Sequence, residues 1–529
     1  MRVIDAATMR ELERRTDAQG HSYAAMMELA GQAVAQAAAA CMPKDSGRVL
    51  VLVGPGNNGG DGLVAAHWLH TQGYTVSCYL LRERPADDPQ LVRVCTDGIP
   101  VSDQISTLPE MLSGCGLVLD ALFGTGLHGV LRDATPEVLE IVRNWANAAD
   151  DPAASVQDFQ PCSQHARPKI VAVDLPSGVD ADSGAADAHT LSADLTVTFG
   201  HPKNGHFIFP GAQYVGDLRV ADIGLAALEQ CANLPTVATP QQVRAWLPKR
   251  PAQANKGTFG SVLVVGGCAS YRGAPRLVAE AAYRSGAGLV SVAAPALTAQ
   301  AVAGQLPEVT FIELRGDSAE LTVEDAQRLA PELGRYHALL VGPGMSSAPQ
   351  SAAFWEALLE QLPPDTPLVV DADGLNLLAR QPDWHTQLPS HTVLTPHPGE
   401  MARLCGMSVA QVQRERWALA REMARSWGVS LVLKGAYSVC ASPQGELTVI
   451  PFANPLLSVA GTGDVLAGLI TGLLAQGMPT ERASIAGCYL HALAGQRLSE
   501  RLGSGGLLAH ELAGELPRVI QVVRGASSR

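Results

Sequence analysis

RVLVLVGPGNNGGDGLVAAHWLHTQG, residues 48–73, runs from a β-branched stretch through a glycine-rich turn into an Ala/Leu-rich segment. Strand, turn and helix in that order aim the free backbone N–H groups of the helix start at whatever sits over the turn. Gly54, Gly56 and Gly59 have the G-x-G-x-x-G spacing of a dinucleotide loop, and Glu83 falls near where an acid would end the next strand. Yet Asn57, Asn58 and Asp61 crowd the turn, and a carboxylate at a helix start opposes a phosphate placed there. Two readings stay open. Asp61 caps the helix beside an Asn-Gly turn, or amide and carboxylate groups meet sugar hydroxyls, an amide or a cation.

Around this stretch, short β-branched runs alternate with longer amphipathic segments, the pattern of an α/β protein with a buried sheet. One series of strands is predicted at 48–53, 74–81, 117–121, 169–174 and 194–199; a second at 261–266, 288–294, 338–342, 367–371, 392–395 and 430–434. A chain of 529 residues exceeds one ordinary core, and a proline-rich stretch divides the two series. We therefore expect domains at 1–228 and 241–529, with a linker at 229–240 followed by a short helix, PQQVRAWL. Residues 148–168 lack apolar periodicity and read as a solvated surface insertion.

Composition narrows the class. Hydrophobic residues make up 47% and charged residues 17%, which excludes a disordered chain. A formal charge of −13 without a basic run argues against nucleic acid as a partner. Ten cysteines without a C-x-x-C suggest reduced thiols and no zinc. The N-terminus lacks an apolar signal core, and VLAGLITGLLAQG (465–477) is shorter than the ~20 residues a membrane span needs. A cytoplasmic enzyme, expected as a homo-oligomer, is the reading that remains.

Two more loops of the first half end strands on acids. VLDALFGTGLHGV (118–130) carries Asp120, and VAVDLPSGVD (171–180) carries Asp174 with Ser177 in the turn beyond. Loops at the carboxyl ends of strands share one crevice in an open α/β sheet, so Asn58, Asp120, Asp174 and Ser177 form an oxygen-rich set suited to a weakly held monovalent cation. These stretches, with TFGHPKNGHFIFPG (198–211), resemble the NAD(P)HX epimerases over about residues 1–225, a Rossmann-like α/β/α sandwich. The resemblance implies that Asn57, Asn58, Gly59, Gly60, Asp61, the loop Gly124, Thr125, Gly126, Leu127, His128, Gly129 and Val130, and Asp174 bind the hydrated nucleotide. It also implies potassium held by Asn58, Asp120 and Ser177, with Asp174 shuttling a proton.

In the second half, SVAGTGDVLAGLITGLLAQG (458–477) sets Gly461, Thr462 and Gly463 ahead of a helix, an anion hole with Asp464 beside it as base or as N-cap. No G-x-x-x-x-G-K-[ST] occurs, so this is not a Walker loop. Lys434 reads as a solvated charge or a phosphate ligand, His397 as a turn former, Asp371 and Asp373 as helix caps, and Glu400 as a weak magnesium candidate. G-T-G-D resembles the anion hole of ribokinase-like kinases. With KGTFGSVLVVGG, RGAPRLVAEAAYRSGAGLV, VGPGMS, DADGLNLL, LTPHPGE and VLKGAYSVC, the segment 240–525 is similar to the ADP/ATP-dependent NAD(P)HX dehydratases.

That likeness implies that Ala274, Gly344, His397 and Asp464 contact the hydrate, while Lys434, Gly435, Ala436, Tyr437, Ser438 and Gly463 hold ADP or ATP with Mg2+. Ser438 stands where the family usually has Thr, and Ser458-Val459-Ala460 lacks its common Met. The order of the halves resembles the fused NAD(P)H-hydrate repair enzymes, whose substrates are NADHX and NADPHX. A ribokinase-like kinase would leave GPGNNGGDG idle, and a dinucleotide dehydrogenase would leave Asp61 unexplained.

Overall fold

A computed structural model describes residues 1–127, 129–148, 168–228, 233–312, 314 and 320–525. The chain forms two compact units, Arg2–Cys231 and Ala232–Arg529, with Met1 joined to the second. Of the expected linker, residues 229–232 lie outside the described residues, as does most of the expected insertion.

In the first unit the strands are β1 Arg48–Val53, β2 Val76–Leu80, β3 Val101–Ser102, β4 Cys115–Ala121, β5 Lys169–Val173, β6 Leu195–Phe199 and β7 Asp217–Ala221. They lie in the order β3-β2-β1-β4-β5-β6-β7, every pair parallel. Parallel strands covered on both faces need apolar side chains throughout, and Val49 to Val53 are at most 1% exposed. The chain leaves β1 toward β2 on one side and returns at β4 on the other. That reversal opens a crevice beyond the carboxyl ends of β1 and β4, where such sheets bind ligands.

The second unit builds a larger sheet from β8 Thr236–Val237, β9 Ser261–Val265, β10 Leu289–Ala293, β11 Thr310–Ile312, β12 Ala338–Val341, β13 Leu368–Val370, β14 Thr392–Leu394, β15 Ser430–Leu433, β16 Val439–Ala441 and β17 Leu447–Val449. Their order is β11-β10-β9-β12-β13-β14-β15-β16-β17-β8, parallel except where β16 meets β15 and β17. The strand β8 falls within the stretch expected as linker, because its backbone completes the sheet beside β17. The expected short helix forms at Pro240–Trp246, started by a capping box between Thr239 and Gln242. A second reversal, between β9 and β12, opens a second crevice.

The apolar run near the C-terminus is a core helix, Thr462–Ala475, buried along nearly its whole length. A helix hydrophobic all round belongs inside a large core. No helix among the described residues is long and apolar enough to cross a membrane.

Candidate active sites

In the first unit the turn after β1 touches the turn after β4. A Cβ on Gly54 would lie 1.8 Å from the Leu122 carbonyl oxygen, so only glycine lets the loops meet. The helix Asn57–Thr71 starts immediately afterwards, with Gly56 at its N-cap and no side chain capping it. Asp61 is therefore not the cap; it sits in the second turn of the helix and is 9% exposed. Burial, reinforced by the Asp174 and Glu13 charges, raises its carboxyl well above the usual carboxylate range. The same burial that disfavours the Asp61 anion sets it in the helix wall and not at the helix start, where it would oppose a phosphate. Asn57, Gly60 and Asp61 line a cavity of about 730 Å³ together with Tyr23, Met27 and Arg84. Arg84 ties the loop down, its Nη1 donating to the Gly54 carbonyl at 2.6 Å and the Gly56 carbonyl at 3.1 Å while Asp88 balances its charge at 2.7 Å. Its neighbour Glu83 is exposed.

The other two loops meet behind this turn. A Cβ on Gly124 would lie 2.9 Å from Asp174 Oδ2 and 3.0 Å from Asn58 Oδ1, so the bare glycine draws both side chains together. Asp120 is buried and receives the Ser177 hydroxyl at 2.6 Å and the Ser177 amide at 2.9 Å. Burial pushes its carboxyl upward against those hydrogen bonds. Among the described residues, Asn58 Nδ2 is buried without a partner. Leu127 packs on the core while Val130 is 65% exposed, and His128 lies outside the described residues. Thr125, Gly126 and Gly129 stay on the loop between them.

Asp174 holds a left-handed backbone, φ 64°, which a non-glycine residue adopts only when its surroundings enforce it. Those surroundings come from β6 and the segment after it. Lys203 Nζ donates to Asp174 Oδ1 at 2.7 Å from a fully buried position, and Thr198 Oγ1 adds a bond of 2.8 Å. His206 Nε2 donates to the Asp174 carbonyl at 2.8 Å, its Nδ1 taking the Lys203 amide at 2.9 Å. Burial works against the Asp174 anion, but the Lys203 ammonium and these hydrogen bonds outweigh it and hold the carboxyl below the usual range. Burial and the Lys203 charge also keep His206 neutral, its pKa lowered to about 4. Neither Lys203 nor His206 is marked by sequence beyond a Lys and a His three apart between prolines and glycines in TFGHPKNGHFIFPG.

In the second unit the crevice gathers an ion-paired lysine. Lys434, just after β15, places Nζ 2.7 Å from Asp371 Oδ1 and 3.7 Å from Glu400 Oε2, with 17% of its side chain exposed. It is not a solvated charge: burial disfavours its ammonium, yet the Asp371 and Glu400 carboxylates more than compensate and raise its pKa. Nor are Asp371 and Asp373 helix caps. The helix Asp373–Leu378 has Ala372 at its N-cap and no capping side chain; Asp371 turns to Lys434, and Asp373 takes the Ser346 amide at 2.9 Å. The sequence favoured caps because D-A-D-G precedes a helix, whereas the partner that claims Asp371 comes 63 residues later.

His397 does shape a turn. It caps the helix Pro398–Cys405, Nδ1 accepting the Gly399 amide at 2.9 Å, and Glu400 returns a bond to the His397 amide at 2.7 Å. Glu400 is buried, and burial plus the Asp371 charge push it up to about 7 against the pull of Lys434.

Gly461, at φ 91°, is the N-cap of the helix Thr462–Ala475, so Asp464 is its third residue and not its cap. A Cβ on Gly463 would come 3.4 Å from Lys434 Nζ, which places the G-T-G-D turn against the ion pair. Burial and the Asp371 charge raise Asp464 to about 7, with Lys434 opposing. His491 donates to the Thr462 carbonyl at 2.9 Å and so fixes the turn from behind. Across the crevice a Cβ on Gly344 would lie 3.3 Å from Ala274 Cβ. The loop Gly435–Ser438 closes on itself, the Ser438 hydroxyl donating to the Gly435 carbonyl at 2.8 Å, with Tyr437 at φ 50° and Ala436 exposed between them. Arg416 braces this loop through the carbonyls of Leu433 and Lys434, and burial lowers its pKa to about 10. Arg416 carries no local sequence signal that separates it from surface charge, whereas Glu400 is marked by its spacing of three from His397.

Both halves have counterparts among known proteins. Residues 23–205 match the family model described as YjeF-related protein N-terminus, and residues 262–518 match that of NAD(P)H-hydrate dehydratase. Proteins named bifunctional NAD(P)H-hydrate repair enzyme Nnr align along most of the chain. That of Moorella thermoacetica is 35% identical over 90% of this chain and 87% of its own. That of Coxiella burnetii is 34% identical over 95% and 96%, and that of Escherichia coli K12 32% over 95% and 91%. A solved ADP/ATP-dependent NAD(P)H-hydrate dehydratase from Bacillus subtilis, co-crystallised with ATP and Mg2+, is 30% identical and covers 55% of this chain and 99% of its own at a TM-score of 0.48. With relatives matched over nearly their full length and both crevices furnished, the chain belongs to the family of bifunctional NAD(P)H-hydrate repair enzymes.

Proposed function

We propose that this chain repairs NADH and NADPH that have taken up water across a ring double bond, interconverting the R and S hydrates in its first unit and dehydrating the S form in its second. The observation that carries the reading is the Asp464 carboxyl, poised near pH 7, beside the G-T-G turn and the Lys434–Asp371 pair. A base of that pKa takes the proton of the substrate hydroxyl as its oxygen attacks the terminal phosphoryl group of ADP or ATP, breaking the bridging P–O bond and releasing AMP or ADP. The backbone N–H groups of Gly461–Gly463 and the Lys434 ammonium stabilise the charge on the transferred group. Phosphate then leaves as the ring-nitrogen lone pair breaks the C–O bond, and loss of a proton from the adjacent carbon restores the double bond. Ala274, Gly344 and His397 contact the hydrate, while Gly435, Ala436, Tyr437 and Ser438 contact the adenine nucleotide. Mg2+ accompanies the nucleotide phosphates, with one or two of the clustered carboxylates as its protein ligands.

In the first unit, Asn57 to Asp61, the loop Gly124–Val130 and Asp174 bind the hydrate. Asp174, held ionised by Lys203, accepts the proton. Potassium would be held by the Asn58 amide oxygen, the buried Asp120 carboxyl and the Ser177 hydroxyl, an oxygen set of the kind a hard cation takes, in which Asp120 already meets Ser177 at 2.6 Å. Potassium supplies a fixed positive charge there. The chain works in the cytoplasm and self-associates.

The test supplies separated NADHX epimers with ADP or ATP, following NADH absorbance and each epimer by chromatography. Both epimers should be consumed as NADH appears; consumption of neither, with either nucleotide, sinks the reading. Replacing potassium by choline should lower the melting temperature of the wild type and leave an Asp120→Asn chain unmoved. A single-chain mass in sedimentation contradicts self-association.

A further inference from the structure

Glu13 is a charged residue on the wrong side of its helix. On Ala6–Ala18 the buried positions are Ala6, Met9, Leu12 and Thr16, and position 13 falls on that same face, four residues beyond Met9. A carboxyl on a core-facing stripe calls for a partner or a purpose. Among the described residues Glu13 has no hydrogen bond or ion pair, and the nearby Lys203 gives its 2.7 Å contact to Asp174. What Glu13 faces is the 730 Å³ cavity, whose wall it shares with Asn57, Gly60 and Asp61. Burial raises its pKa, with Lys203 opposing and Asp174 adding to the rise.

Epimerisation at a hydrated ring carbon must move two protons. The departing hydroxyl needs one to leave as water while the ring-nitrogen lone pair forms C=N+. The water that adds to the other face must lose one as the new C–O bond forms. Asp174, paired with Lys203, suits the second task and not the first, because it holds no proton to give. We propose that Glu13 is the catalytic acid of the epimerase site, giving its proton to the departing hydroxyl while Asp174 takes one from the incoming water. The opposite direction retraces these steps from the minor form that the forward reaction leaves, Asp174 protonated and Glu13 ionised, and both groups re-equilibrate with solvent between turnovers. This assignment rests on the epimerase reading of the first unit.

The test uses the full chain without nucleotide, starting from purified R hydrate and following the S hydrate by chromatography. Glu13→Gln should lower kcat about 100-fold or more with KM within about threefold of wild type, and Glu13→Asp should recover part of the rate. Dehydration of S hydrate with nucleotide, measured on the same chains, should not change. An E13Q chain within about threefold of the wild-type kcat overturns the proposal. So does a loss carried by KM that E13D fails to relieve, because that is the mark of a structural role. A wild-type chain that leaves R hydrate untouched overturns the proposal together with the epimerase reading, which separates the two failures.

Discussion

A carboxyl that titrates at about 7, as burial and the Asp371 charge make Asp464, changes state in the middle of the neutral range. A general base acts as the anion, so the dehydration rate on S hydrate should rise as pH passes upward through about 7 and then level. Glu400 titrates in the same range, so a limb alone identifies neither group. Asp464→Asn settles the matter: it should lower kcat/KM at least about 100-fold and remove the limb from whatever rate remains. An equally active variant that keeps the limb would assign it to Glu400. At this scale the G-T-G-D turn was legible because its glycines and its acid are contiguous in the chain. Asp371 was misread and Lys203 passed over because each is defined by a partner that only the fold supplies, 63 residues away for Asp371 and 29 for Lys203.

At the scale of elements, two helices carry the dehydratase crevice, and their crossing depends on missing side chains. A Cβ on Gly468 would stand 2.3 Å from the Val278 carbonyl, and one on Gly472 2.8 Å from that of Ala282. The helices Thr462–Ala475 and Ala274–Ser285 thus touch backbone to backbone. Their N-termini bring the anion turn and Ala274 to the same crevice. Gly468→Val should force them apart, costing about 1–3 kcal/mol or more, read as a lower urea midpoint for the second unit. Dehydration should fall and epimerisation persist; an unchanged midpoint contradicts this packing. The glycines of LAGLITG count against a helix by propensity alone, yet tertiary packing requires them. Central strands were legible as apolar runs. The short strands β3, β8, β11, β16 and β17 and the half-exposed β7 were not, since two or three residues carry no period and their pairing is set by neighbours.

For the whole molecule, two separate strand series predicted two sheets, and each sheet has its own reversal and its own crevice. The junction was less sharp, because β8 looks like linker until β17 is there to pair with it. Two crevices that share a freely diffusing substrate make a prediction that neither would make alone. Given nucleotide and both hydrates, an Asp174→Asn chain should consume S hydrate and stop, leaving R hydrate to decline only at the rate seen without protein. An Asp464→Asn chain should equilibrate the epimers and form no NADH. Mixing the two variants should restore complete conversion, because S hydrate released by one chain reaches the intact crevice of the other. Chromatography of both epimers beside NADH absorbance reads all three cases. Complete conversion by Asp174→Asn alone would remove that residue from epimerisation. A mixture that stalls with R hydrate unspent would show that the epimer does not pass through solution between crevices.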